Sequence, residues 1–305
     1  MSTLWYDTPA KNWQEALPIG NGVIGAMVFG GPAADRLALN HESLWRGKTR
    51  ARTTRPVYEH LPSIRTLFFQ GRLQEAGQEA VRHLSGKGQV QPYQPLGDLS
   101  LCFAGHEPVS AYRRQLDLAE GVAEVRYIRY NTRYVRTYLV SAEQGALAVR
   151  LTADRPASVS VRVHLDRIDD DECRCTARSD DRGIGLSGRF DEGVSFVVEA
   201  RVVAEGGQRR PGSGATLDID GADAVTVYLR AAVGLDDLGP ETALWTEALP
   251  AFEVVEQAHR AEHGALFHRV SLDLGKGRED RPTDVRLRGL SSGYEDPALL
   301  ATYAQ

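Results

Sequence analysis

At 305 residues, with 42% hydrophobic and 25% charged residues, the chain has the composition of a globular protein able to bury a sizeable core. Its formal charge of -5 is spread without a basic stripe or an acidic tail, which argues against nucleic acid and anionic membrane surfaces as partners. No apolar run approaches the ~18 residues of a membrane span, and Met1 to Asp7 shows no targeting region, so the cytoplasm is the default expectation.

In chain order, Pro18-Ile19-Gly20-Asn21-Gly22 reads as a turn and Ile24 to Phe29 as a short strand closed by Gly30-Gly31-Pro32. Arg36 to Leu39 is its hairpin partner and leads into Asn40-His41-Glu42-Ser43-Leu44-Trp45. Leu61, Ile64, Leu67 and Phe68, then Leu73, Ala76, Ala80 and Leu84, recur at helical spacing on either side of Gly71. They predict a helical hairpin inserted at about 56–85, followed by a Gly/Gln/Pro loop from Gly86 to Pro95.

From Gly97 to Leu235 the chain is almost entirely strand-like. Val122 to Tyr127, Tyr134 to Val140, Leu147 to Leu151, Val159 to Leu165, Val194 to Val203 and Val225 to Val233 alternate between turn residues. No strand-helix-strand rhythm appears, so a doubly wound sheet is excluded in favour of a mainly β protein, a large antiparallel β-super-sandwich over 1–250. Residues 251–305 read as a helix from Phe252 to Phe267, a strand from Arg269 to Leu274, a polar linker and the start of a helix. Asp296 caps that last helix, Pro297 begins it, and Leu299, Leu300 and Tyr303 open an apolar stripe. Its continuation is missing, which predicts that the chain stops inside a helical linker.

Single motifs carry little. Gly20-Asn21-Gly22-Val23-Ile24-Gly25 matches G-x-G-x-x-G, but a dinucleotide site needs a helix after it, and Gly30-Gly31-Pro32 forbids one. His259-Arg260-Ala261-Glu262-His263 matches H-x-x-E-H, yet Phe252, Val255, His259 and Leu266 share one helical stripe, so His259 is expected in the core without a metal. Cys173 and Cys175, with His164 nearby, lack the second ligand pair of a zinc site. With Cys102 they make three cysteines, read as reduced and structural, and the close pair is poorly spaced for an easy bridge. Asp169-Asp170-Asp171-Glu172 lacks the alternating ligands of a calcium loop. No metal or cofactor is expected. Of Trp5, Trp13 and Trp45, the last is the best candidate to stack on a sugar.

Read together, several segments resemble, in order, the N-terminal region of glycoside hydrolase family 95, the α-L-fucosidase type. They are Leu4 to Ala10, Trp13 to Gly22, Gly25 to Gly31, Leu39 to Trp45, Tyr93 to Leu99, Tyr112 to Leu118, Arg269 to Gly275 and Pro282 to Leu287. The resemblance implies an N-terminal β-super-sandwich, a helical linker and then a barrel of paired helices that performs an inverting reaction on fucosylated glycans. It also implies a catalytic Glu, and a base Asp helped by an Asn-x-Asn segment, all in the barrel. The asparagines here are Asn12, Asn21, Asn40 and Asn131, none so spaced. No catalytic residue is therefore expected in this chain. Asn40, His41, Glu42 and Trp45, with Tyr93 and Gln94, are the candidate substrate-binding residues, facing either a glycan or the barrel. The partner implied is a helical barrel, on the same chain or separately encoded. A stand-alone carbohydrate-binding sandwich and a structural module are the alternatives.

Overall fold

The computed structural model describes residues 3–47, 58–84, 92–191, 193–235 and 238–304. Two compact units divide the chain, one formed by Met1–Leu44 with Gln94–Gln305 and the other by Trp45–Tyr93.

The larger unit is mostly β, as expected. Its strands are β1 (Thr3–Tyr6), β2 (Leu17–Gly20), β3 (Ile24–Val28), β4 (Ala34–His41), β5 (Gly97–Cys102), β6 (Ser110–Asp117) and β7 (Val122–Arg129). They continue with β8 (Thr132–Ser141), β9 (Ala146–Ala153), β10 (Val159–Asp166), β11 (Cys173–Ser179), β12 (Gly183–Phe190), β13 (Ser195–Pro211) and β14 (Thr216–Gly234). All join one curled antiparallel sheet of 14 strands.

The long β14 is the hub of this sheet. One flank pairs with β13, which leads to β12 and β11. The other flank is divided: Ala224 to Leu229 pair with β9, and Thr216 to Ala222 pair with β10. From β9 one leaf runs through β8, β7 and β6 to β1, and from β10 a second runs through β5, β4 and β3 to β2. The register of β13 against β14 shifts at Glu205/Gly206. There Gly207 takes φ +71°, and a Cβ on it would lie 2.5 Å from the Asp220 carbonyl oxygen. Only glycine fits this bulge, which bends the ribbon where its partner changes.

The leaves bury an aliphatic core between them, with Val28, Leu37, Leu99, Val125, Val149 and Val163 at no exposure. The alternation read from sequence is literal in β10, where Val159, Val161, Val163 and Leu165 are buried and the residues between them are not. It fails in β14, where Val225 to Leu229 are buried without a break. The reason is a helix, α3 (Phe252–Phe267), on the outer face. With Trp245 it covers Leu139, Ala148 and Tyr228, so these strands are apolar on both sides.

The smaller unit holds the predicted helical hairpin, α1 (Leu61–Phe69) and α2 (Leu73–Leu84). The ends predicted for it near 56 and 85, and most of the Gly86 to Pro95 loop, lie outside the described residues.

Three expectations are corrected. Leu17–Gly20 is a strand, so the turn predicted from Pro18 is confined to the residues after Gly20. Arg269 to Leu274 joins no ladder, because its alternation meets no strand edge to pair with, and Val270, Leu272 and Leu274 stay exposed. The polar linker contains α4 (Thr283–Ser291), which buries Thr283 and Arg286 instead of an apolar stripe. The final helix, α5 (Pro297–Ala304), starts where predicted, with Asp296 Oδ1 accepting from Leu299 N at 3.0 Å. Of its predicted stripe only Leu299 is buried, while Leu300 and Tyr303 are exposed.

Candidate carbohydrate-facing residues

In the larger unit the end of β4 pairs with β3, Asn40 opposite Gly25 and His41 opposite Ile24. The chain then turns sharply at Glu42 and Ser43. Glu42 N donates to the Val23 carbonyl at 2.9 Å and Leu44 N to the His41 carbonyl at 3.0 Å. The imidazole of His41 is buried and its Nδ1 accepts from Ser43 N at 3.2 Å. Burial lowers the His41 pKa against the pull of Glu42, so the ring is neutral and acts as a turn brace at neutral pH. Asn40 is half-buried, and Glu42 is exposed with its carboxylate accepting from Ser43 Oγ at 3.4 Å.

Gln94 belongs to the same unit and is also internal. Its N donates to the Leu44 carbonyl at 2.9 Å, and its Oε1 accepts from Arg167 Nη2 at 3.1 Å. The Arg167 side chain is 1% exposed and donates as well to the Pro95 carbonyl. Nothing in the sequence pointed to this arginine, since an isolated Arg after a strand carries no pattern.

In the smaller unit Trp45 and Tyr93 form an isolated antiparallel bridge. Their rings meet edge to face, with centroids 5.3 Å apart and an interplanar angle of 68°. Both are exposed, Trp45 at 44% and Tyr93 at 39%. Of the six candidates, then, these two are brought together as an accessible aromatic pair, and Glu42 offers a carboxylate. His41 and Gln94 brace the backbone of the larger unit at Ser43 and Leu44. Among the described residues, one surface concavity is bounded by Arg278, Arg281, Arg288 and Tyr294 and another by Asp7, Glu107, Pro108 and Tyr112.

The other motifs take their plain roles. In Gly20 to Gly25, Asn21 Oδ1 accepts from Val23 N and Ile24 N and ties a hairpin, with no helix after it. His259 and His263 direct their Nε2 atoms at the carbonyls of Gly121 and Leu118, at 3.0 and 2.7 Å, which fixes α3 to the turn between β6 and β7. A ring nitrogen facing a carbonyl donates a proton and is closed to a metal. His259 is buried as expected, but Leu266, placed on the same stripe, is 62% exposed. Among the described residues no three His, Cys, Asp or Glu side chains cluster as metal ligands, and no helix is long and apolar enough to cross a membrane.

Comparison with known proteins adds three findings. A family profile described as "Glycosyl hydrolase family 65, N-terminal domain" matches residues 4–237. The chain is similar to "Alpha-L-fucosidase 2" of Arabidopsis thaliana, 28% identical over 97% of this chain and 40% of that protein. It is similar also to "Probable alpha-fucosidase A" of Aspergillus oryzae (strain ATCC 42149 / RIB 40), 26% identical over 63% of this chain and 27% of that one. It thus spans less than half the length of these relatives.

Proposed function

The chain belongs to the family of glycosyl hydrolase family 65 N-terminal domains, and from that premise we propose that it is the non-catalytic N-terminal domain of an inverting α-L-fucosidase-type hydrolase of family 95. In this reading the β-rich unit is a super-sandwich that packs on a helical barrel and helps shape its carbohydrate site. The observation that carries it is the similarity over 97% of this chain to a protein named for fucosidase activity, of which the chain spans 40%.

The reaction itself requires two carboxyl groups ~6.5–9.5 Å apart around a water. They must also be held rigid by their surroundings. The chemistry is assigned to the barrel and the grip to this chain. Within the smaller unit, Trp45 and Tyr93 offer apolar ring surface to the faces of a sugar.

The test is turnover of an aryl α-L-fucoside. The purified chain alone is expected to give no release above a mock preparation, and the chain joined to the remaining part of a fucosidase of this type is expected to give release. Turnover by the chain alone sinks the assignment.

A further inference from the structure

Cys173 and Cys175 occupy alternate positions, and therefore one face, of β11. That strand lies at a margin of the sheet and pairs with β12. The sulfurs are 3.8 Å apart, both thiols are free, and Cys175 is exposed while Cys173 is buried. Among the described residues, the charged groups facing them are the Arg167 guanidinium and the Asp170 carboxylate, themselves 3.6 Å apart. We propose that Cys173 and Cys175 are a reversible dithiol–disulfide site for small hydroperoxides, with Cys175 as the attacking thiolate and Cys173 as the resolving thiol.

Accessibility and electrostatics assign these roles. The exposed sulfur is the one a peroxide can reach. Either sulfur can donate across the 3.8 Å contact; with the proton on Cys173 the hydrogen bond favours the Cys175 thiolate, and Arg167 adds to this against burial and Asp170. The same hydrogen bond, with burial, raises Cys173, so the shared proton rests there. The Cys175 thiolate attacks one peroxide oxygen and the O–O bond breaks. The departing hydroxide, or alkoxide from an organic hydroperoxide, takes up a proton as water or alcohol, leaving a sulfenic acid on Cys175. The Cys173 sulfur then attacks the Cys175 sulfur and displaces the hydroxyl group, which leaves as water with the Cys173 proton. Two thiols have given two electrons to one peroxide, and one S–S bond has formed.

Strand geometry explains why the bridge is reversible. Residues i and i+2 of a strand are about 6.6 Å apart at Cα, close to the ~6.8 Å limit for a disulfide. Closing the sulfurs to bonding distance therefore puckers the strand. A marginal strand can move this way, and a strained bridge is readily reduced. The site is independent of any glycoside chemistry.

The experiment is brief exposure of the full chain to hydrogen peroxide at pH 7, followed by alkylation and peptide mass mapping. The peptide holding both cysteines should lose two hydrogens, regain them with dithiothreitol, and react before Cys102, which is exposed and single. Dimedone should trap Cys175 in Cys173→Ser and nothing in Cys175→Ser. Where a serine variant fails to fold, dimedone competition on the unaltered chain reads the same sulfur. Cys175 should alkylate about threefold faster than an unstructured cysteinyl peptide, its larger thiolate fraction being partly offset by lower intrinsic nucleophilicity. Sulfinic acid on Cys175 without a bridge overturns the proposal. So does oxidation of Cys102 first, or an unreacted pair where the reference peptide is oxidised.

Discussion

Asp35 on β4 and Arg136 on β8 lie 3.5 Å apart with side chains 0% and 2% exposed, an ion pair closed between the two leaves of the sheet. Arg136 also donates to the carbonyls of Gly31 and Pro32, at 2.7 and 2.5 Å, and to Tyr127 Oη at 2.5 Å. Its guanidinium lies 3.7 Å from the centre of the Phe103 ring. Asp35 accepts from Gly30 N at 2.7 Å and from Tyr138 Oη at 2.5 Å. Burial pushes the Asp35 carboxyl above its ordinary value in spite of Arg136. The pair therefore holds the β3–β4 hairpin against β8 at an electrostatic cost, and its worth is in register and specificity.

Arg136→Met is expected to destabilise the fold by about 3–5 kcal/mol, because Asp35 is left as an uncompensated buried charge. Adding Asp35→Leu removes that charge, and the double variant should lose clearly less than the sum of the single losses. Urea denaturation of the four proteins measures the coupling. Additive losses would show that the two side chains act separately.

A second ion pair sets an acid limit. Arg286 donates to both oxygens of Asp296 at 2.8 Å, and each side chain is 4% exposed. The hydrogen bonds from Arg286 hold Asp296 down at about 2, below its ordinary 3.8. A depressed carboxylate stabilises the fold above its unfolded value, and that contribution is lost as pH falls from about 4 towards 2. It amounts to at most about 2.5 kcal/mol. Asp296→Asn should flatten this part of the stability–pH curve, followed by denaturant midpoints between pH 5 and 2, and an unchanged curve would refute the linkage. Gly277→Ala should weaken the same pair above about pH 4, since its Cβ would come 2.1 Å from Asp296 Oδ1.

What the sequence made legible follows from this chemistry. Strands such as β10 were readable because one face is core and the other water, and period-2 alternation records that division. Arg269 to Leu274 has the same alternation and forms no strand, since a pattern states which faces differ and says nothing of a ladder partner. The helix α4 was hidden for the opposite reason. Its inward residues include Arg286, whose partner Asp296 lies ten positions on, so its buried face looked polar. Among the candidate residues, type and order marked the cluster from Asn40 to Trp45, but not that His41 turns inward to its own backbone. Gln94 depends on Arg167, 73 residues away, a relation that only folding creates.

The bend of the β13–β14 ribbon makes Gly207 a sensitive position. Gly207→Ala is expected to cost about 1–3 kcal/mol, through a left-handed conformation and a clash with the Asp220 carbonyl. Hydrogen exchange should show the loss concentrated in the pairing of Gln208 to Pro211 with β14, while Phe196 to Val203 stay protected. Uniform loss along both strands would mean that the bulge does not divide the ribbon.

Trp45 and Gln94 separate gripping from bracing when each is altered in this chain joined to a catalytic barrel. Trp45 is exposed and its ring meets Tyr93, so Trp45→Ala should leave the denaturation midpoint nearly unchanged. If its ring stacks on sugar, losing about 1 kcal/mol of contact raises KM roughly fivefold at similar kcat. Gln94 is buried and receives Arg167, so Gln94→Ala takes one acceptor from the buried guanidinium and should cost about 1–3 kcal/mol of stability. Its KM should stay close to that of the parent while the protein remains folded. Unchanged KM and kcat in Trp45→Ala would remove the indole from substrate contact. A raised KM in a fully folded Gln94→Ala would show that the bracing residue also positions what touches the glycan.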